Sequence, residues 1–144
     1  MISIAITNRQ KRIPIDRRRL RATLKAILRD AAVADARISI AMVDDPTIAK
    51  LHDQFLDDPD PTDVLSFLLE RSPEGLEGEV VASADTAAAN ARRYGATPEE
   101  ELLRYAIHGT LHLVGHDDQT PRDRAAMRRL ERRYLGATEM TKPK

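Results

Sequence analysis

Three of the chain's four histidines and two adjacent aspartates fall within one stretch, HGTLHLVGHDDQ, from His108 to Gln119. His108 and His112 are four residues apart, a spacing that on an α-helix stacks two side chains on one face. Their ring nitrogens can then reach a single ion. Gly115 follows three residues later, and a glycine there ends a helix because it takes a left-handed backbone at little cost. The chain can then turn back, which returns His116, Asp117 and Asp118 toward the histidines. A third ligand from that return leaves one position open to water, the layout of a catalytic zinc site rather than a closed structural one. On residue types alone the third ligand comes from somewhere in this His-Asp-Asp return. The chain has no cysteine, so disulfides and thiolate sites are excluded and only His, Asp and Glu can ligate.

Zinc peptidases built on His-Glu-x-x-His use the glutamate as general base. Here Gly109 follows the first histidine, so a peptidase would lack its base. Glycine also costs about 1 kcal/mol inside a helix. A helix tolerates it where another backbone or a substrate must come close.

The elements that must position these groups can be read from periodicity. ISIAIT (2–7) alternates apolar and polar residues, as a strand does. From Asp16, apolar Leu20, Leu24, Ile27, Leu28 and Ala31 recur at helical spacing, with Arg17, Arg18, Arg21, Lys25 and Arg29 largely off that stripe. Residues 36–45 predict a second strand and Pro46 to Leu56 a short helix. A loop follows at DDPDPT (57–62), then two strands, 63–69 and 78–83, joined by a charged loop. Two consecutive helices come next, the second capped by Thr97 with Pro98 at its first position. Thr120 and Pro121 open a last helix that Gly136 should end, leaving 137–144 as a flexible tail. The order β-α-β-α-β-β-α-α-α predicts an α+β fold. It is a small mixed four-stranded sheet with about five packed helices, one domain over 1–144, with the metal site at the end of a central helix.

Net charge is zero, but the distribution is uneven. Residues 1–43 carry ten Lys/Arg against three Asp/Glu, residues 44–101 four against fifteen, and residues 102–144 nine against five. The two basic ends could form one patch if the fold joins them, although solvated helix faces explain the same pattern. No apolar run approaches the roughly 20 residues of a membrane span, and no signal-peptide core is present at the N-terminus. The expectation is a soluble cytoplasmic protein with no membrane and no disulfide partner. Two Phe, three Tyr and no Trp leave little for stacking on nucleobases.

Taken with PTDVLSF (61–67) and GEVVAS (78–83), the stretch HGTLHLVGHDD resembles the YbeY family, single-domain metal-dependent endoribonucleases of ribosomal RNA maturation. The resemblance runs from about Val43 to Leu135, and its strength lies in three motifs occurring in order. Met127 and Glu131 also fit the family's final helix. It implies one Zn²⁺ per chain held by His108, His112 and, at the family's third histidine position, Asp118. His116 remains the alternative third ligand. A site of two histidines and a carboxylate also suits iron(II). The implied function is single-strand-specific cleavage in rRNA processing, at the 3′ end of 16S rRNA, and ribosome quality control. Its partners would be ribosomal RNA and the small ribosomal subunit, with ribosomal proteins or an assembly GTPase as further candidates. His116 and Asp117 are the candidate catalytic acid–base groups. The family commonly carries an arginine where this chain has Leu56. Phosphate contacts must then come from elsewhere, from Arg104 or from the basic helix faces (Arg17, Arg18 and Arg21; Arg124, Arg128 and Arg132). Ser66 is expected on the cleft floor, and Leu56 on the core side of its helix. The alternative function is a non-catalytic ribosome-assembly binding factor in which metal only clamps the loop to the helix.

Overall fold

The computed structural model describes residues 1–58, 62–73 and 75–140. Four strands, β1 (Ile2–Asn8), β2 (Ala36–Val43), β3 (Val64–Ser72) and β4 (Gly75–Ser83), form one mixed sheet in the order β1-β2-β4-β3. β1 and β2 pair in parallel, as do β2 and β4, while β3 runs antiparallel to β4 along the edge. The α+β architecture expected from the sequence is present. The charged loop expected between β3 and β4 is instead a tight hairpin in which Ser72 pairs with Gly75. The strands absorb the polar residues because their outer ends face solvent, with a register shift between Leu68 and Glu70.

Five helices are described: α1 (Arg17–Asp30), α2 (Asp45–Leu56), α3 (Ala84–Tyr94), α4 (Pro98–Leu113) and α5 (Pro121–Met140). Asp16, Asp44, Ser83 and Thr97 cap the first four, each accepting a backbone amide three residues on. Thr120 does the same for α5, accepting the Asp123 amide at 3.0 Å. α5 runs past Gly136 to Met140, where the sequence had suggested a stop. Gly136 is not among the positive-φ glycines, so it does not act as a left-handed terminator. Residues 141–144 and Pro61, expected to set the turn into β3, lie outside the described residues.

Two apolar layers flank the sheet. On one face α2 places Ile48 against Val43, Leu65 and Val81. On the other, Ile38, Ile40, Met42 and Val80 meet Leu24, Ile27 and Leu28 of α1 and Leu102, Ile107, Leu111 and Leu113 of α4. α4 is the central helix, packed against β3, β4, α1, α3 and α5. It is buried on nearly every side, so its polar face is reduced to the few positions that carry the site.

α4 sits close to the sheet because of Gly109. A Cβ there would lie 2.6 Å from Val80 Cγ1 and 2.9 Å from Ser66 Oγ, and the Ser66 hydroxyl donates to the Gly109 carbonyl at 3.0 Å. What must come close to the helix backbone is therefore the protein's own sheet, through the side chains of Val80 and Ser66. Gly109→Ala should destabilise the protein by about 1–3 kcal/mol through overpacking, despite the better helix propensity of alanine. Urea unfolding tests this, and a neutral or stabilising effect would show that α4 can retreat freely.

Candidate metal centre

The last two turns of α4 present His108 and His112 with their Nε2 atoms 3.1 Å apart. Asp118 Oδ2 lies 3.3 Å from His108 Nε2 and 3.4 Å from His112 Nε2. Ligand bonds of about 2.0–2.1 Å in a tetrahedron put neighbouring donors roughly 3.3 Å apart. The three donors thus already have the edge lengths of one face of a zinc tetrahedron. The fourth corner belongs to no side chain of the cluster, which among the described residues consists of His108, His112 and Asp118. These residues could hold a metal ion.

The turn after α4 determines which loop residue joins the histidines. The Gly115 amide donates to the His112 carbonyl and the His116 amide to the Leu111 carbonyl, each at 3.0 Å, with Gly115 at φ +106°. This is a Schellman closure, and it takes up the backbone of His116 as its last member. The His116 side chain is left exposed, outside the cluster. Asp117 is exposed as well, and its Oδ1 accepts the Asp118 amide at 2.7 Å. Arg124 Nη1 donates to the carbonyls of Asp118 and Gln119 at 3.3 and 3.1 Å. Two contacts therefore fix the loop with Asp118 turned inward.

Behind His108 lies a buried ionic network. Its Nδ1 is 3.7 Å from Glu131 Oε2, and Glu131 Oε1 accepts from Arg104 Nη1 at 3.0 Å. Arg104 also grips Glu101 through Nε and Nη2. Both carboxylates are buried, and an unpaired buried charge would be costly. One guanidinium shared between them meets that requirement and ties α4 to α5. Burial pulls the His108 pKa down, but the nearby Glu131 carboxylate, helped by Asp118 and Asp63, outweighs it and leaves it above its ordinary 6.5. Glu131 also orients the ring so that Nε2 faces the cluster, as an outer-shell carboxylate does for a ligating histidine.

The cluster stands on a ridge between two clefts. One, about 400 Å³, is walled by α2 and β3 and includes Leu56, Asp63 and Ser66 with both histidines and Asp118. The other, about 180 Å³, lies toward α5 and includes Arg104, Arg124, Arg128 and Glu131 with His108 and Asp118. A larger hollow of about 470 Å³ near Met1 and Asp35 contains no histidine. Ser66 is on the cleft floor, as expected. Leu56 is not the core residue its helix suggested: it is 57% exposed, on the cleft wall. Arg104 is held by Glu101 and Glu131 rather than free for phosphate. Arg17 and Arg21 reach the β1 carbonyls of Ile6 and Ile4. His52 faces Asp58 across 3.8 Å at the end of α2. Asp63 also faces the cluster, a placement no local spacing could reveal because it lies 45 positions from His108.

The fold and the cluster together define a metal-binding α+β protein with an open-sided site of two histidines and a carboxylate. The family model described as Endoribonuclease YbeY matches residues 5–139. An Endoribonuclease YbeY of Rhodopirellula baltica is 46% identical over 119 residues, covering 76% of this chain and 61% of that protein. One from Salinibacter ruber is 36% identical over 131 residues, covering 85% and 83%. The solution structure of TM1509 from Thermotoga maritima superposes with a TM-score of 0.65 at 28% identity, covering 96% of this chain and 89% of that one. The chain belongs to the YbeY family. The match extends well beyond the segment whose motifs first suggested it, and the chain spans less than two thirds of the Rhodopirellula protein.

Two predictions follow from this geometry. Mass spectrometry of the native protein should find about one zinc per chain, lost in Asp118→Ala and kept in His116→Ala; the reverse pattern would move the third ligand to His116. In the metal-stripped protein, the raised His108 pKa contributes stability that is fully present below the unfolded value and lost as pH rises through the folded one. Glu131→Gln should therefore cost more stability at acid pH than at alkaline pH in urea unfolding. An equal deficit at both would detach Glu131 from His108.

Proposed function

We propose that the protein is a zinc-dependent endoribonuclease that cuts single-stranded RNA in ribosomal RNA processing, at the 3′ end of 16S rRNA, with a part in ribosome quality control. The observation that carries this reading is the three-donor cluster, open on one side and bordered by clefts, in a chain of the YbeY family. The zinc ligands would be His108, His112 and Asp118. Bound there, zinc would supply Lewis acidity, lowering the pKa of a water or polarising a phosphoryl oxygen.

The chain's own residues do the rest. Glu131 holds the His108 ring by its far nitrogen, and Asp117 holds the Asp118 amide so that the carboxylate stays turned to the histidines. His116, exposed two residues before Asp118, is the candidate proton acceptor from water or from a 2′-hydroxyl, with Asp117 as its neighbour in that role. A peptidase has no place for its base, since any side chain at position 109 would enter β4 rather than the cleft. Among the described residues no helix is long and apolar enough to cross a membrane. The partners on this reading are cytoplasmic: the small ribosomal subunit and its RNA, with ribosomal proteins or an assembly GTPase to direct it.

The test is cleavage of a labelled single-stranded ribosomal RNA fragment by the metal-stripped protein, with and without added zinc. Zinc should restore cutting, and Asp118→Ala should lower it by on the order of a hundredfold or more. Binding of the RNA that is lost with the metal, with no cutting at any protein concentration, would support the non-catalytic assembly factor instead.

A further inference from the structure

The two clefts beside the cluster differ in charge. The α2-side wall contains no lysine or arginine, and its outermost side chain is the exposed Leu56. The α5 side contains three arginines. An anionic strand crossing the ridge therefore finds cations on one side only.

The three arginines are not equivalent. Arg104 is compensated by two buried carboxylates. Arg124 is fixed by two neutral carbonyls, which position the guanidinium without cancelling its charge. Arg128 lies one turn further along α5, on the same face, and is exposed. Among the described residues no carboxylate pairs with it. Of the acids facing this cleft, Glu131 is held by Arg104 and Asp118 faces the histidines, while Asp63 accepts the neutral Val64 amide and keeps its charge.

We infer that Arg128, one turn beyond Arg124 on the same cleft, is the phosphate clamp of this site and grips a backbone phosphate of single-stranded RNA on the α5 side of the metal centre. The inference rests on the RNA-cleaving reading above and adds where the strand is held. A guanidinium suits the task because its planar fork meets two phosphate oxygens at once, which the point charge of lysine cannot do. Leu56 offers nothing comparable on the opposite wall, so the strand is anchored from one side. Arg128 is thus a binding and positioning residue next to the reacting bond.

The experiment uses the full zinc-loaded chain and a short single-stranded RNA oligonucleotide. Binding is measured across a salt series, and cleavage under single-turnover conditions. Arg128→Ala should weaken binding by roughly tenfold at low salt and reduce the slope of log affinity against log salt by about 0.7, the loss of one phosphate contact on a single strand. Arg128→Lys should keep the slope while cleavage falls about tenfold, because charge survives and the fork does not. Arg37→Ala, exposed at the start of β2 and outside both clefts, should change neither. If Arg128→Ala matches Arg37→Ala in both slope and rate, the clamp is overturned. If the native protein binds this RNA but never cuts it, the nuclease reading fails and the slope comparison alone decides the clamp. If it does not bind at all, both fail.

Discussion

The site depends on how closely α4 can lie on the sheet. Gly109 removes the one side chain that would stand between the helix and Val80, and Gly78 on β4 does the same for Leu113 one turn further on. With a glycine contributed from each side, helix and sheet come close enough for the Ser66 hydroxyl of β3 to donate to the Gly109 carbonyl of α4. That contact sets the height of His108 and His112 above the start of β3, and so brings Asp63 and Ser66 to the same cleft. A larger residue at 109 would raise both histidines away from the groups they face. The absence of the peptidase glutamate and the presence of a close-packed helix are therefore one fact.

A second constraint acts from the opposite side of α4. Arg104 and two buried carboxylates form an ionic group that gains little net stability, because desolvating three charges offsets most of their attraction. Its effect is geometric. Glu101 and Arg104 belong to α4 and Glu131 to α5, so the helices can dock in only one register that leaves none of the three unpaired. That register puts Glu131 behind His108 and carries Arg124 to the loop that presents Asp118. The metal cluster is in this way held by the sheet through Gly109, by α5 through Glu131, and by its own loop through Asp117.

Much of this was legible in the sequence because local rules governed it. The cap at Thr97, the opening of the last helix at Thr120 and the paired histidines all follow from spacing within a few residues, and Gly115 does end α4 in a left-handed conformation. Choosing between His116 and Asp118 needed more than spacing. Only the Schellman closure, with the His116 amide on Leu111, shows why the nearer histidine is turned out and the farther aspartate turned in. What could not be read were facts of tertiary placement. Leu56 has the helical spacing of a core residue but lies at the end of α2, beyond the edge of the sheet that covers Ile48. Arg104 looked free because its partner Glu131 is 27 residues away. Gly136 looked like a terminator, yet a glycine stops a helix only where the chain turns left-handed, and there it does not.

The scarcity of aromatics takes on a different meaning in three dimensions. Both phenylalanines lie together at the α2 side of the sheet, edge to face with ring centres 5.4 Å apart, and Phe55 is exposed beside Leu56. The core is built from aliphatic side chains and alanine, with Tyr105 and Tyr134 each tied by its hydroxyl to a polar partner. Of the large apolar side chains left in water, Phe55 and Leu56 stand at the α2 side of the cluster, while Arg124 and Arg128 border the other cleft. A single nucleic-acid strand is itself two-sided, with apolar base faces and anionic phosphates. A metal centre on the ridge between an apolar wall and a cationic one would meet such a strand at its backbone, where the two characters join. A paired helix shields its base faces by stacking and could use only the cationic wall. Selectivity for single strands on the endoribonuclease reading would then come from this difference between the walls, with no base-specific contact required.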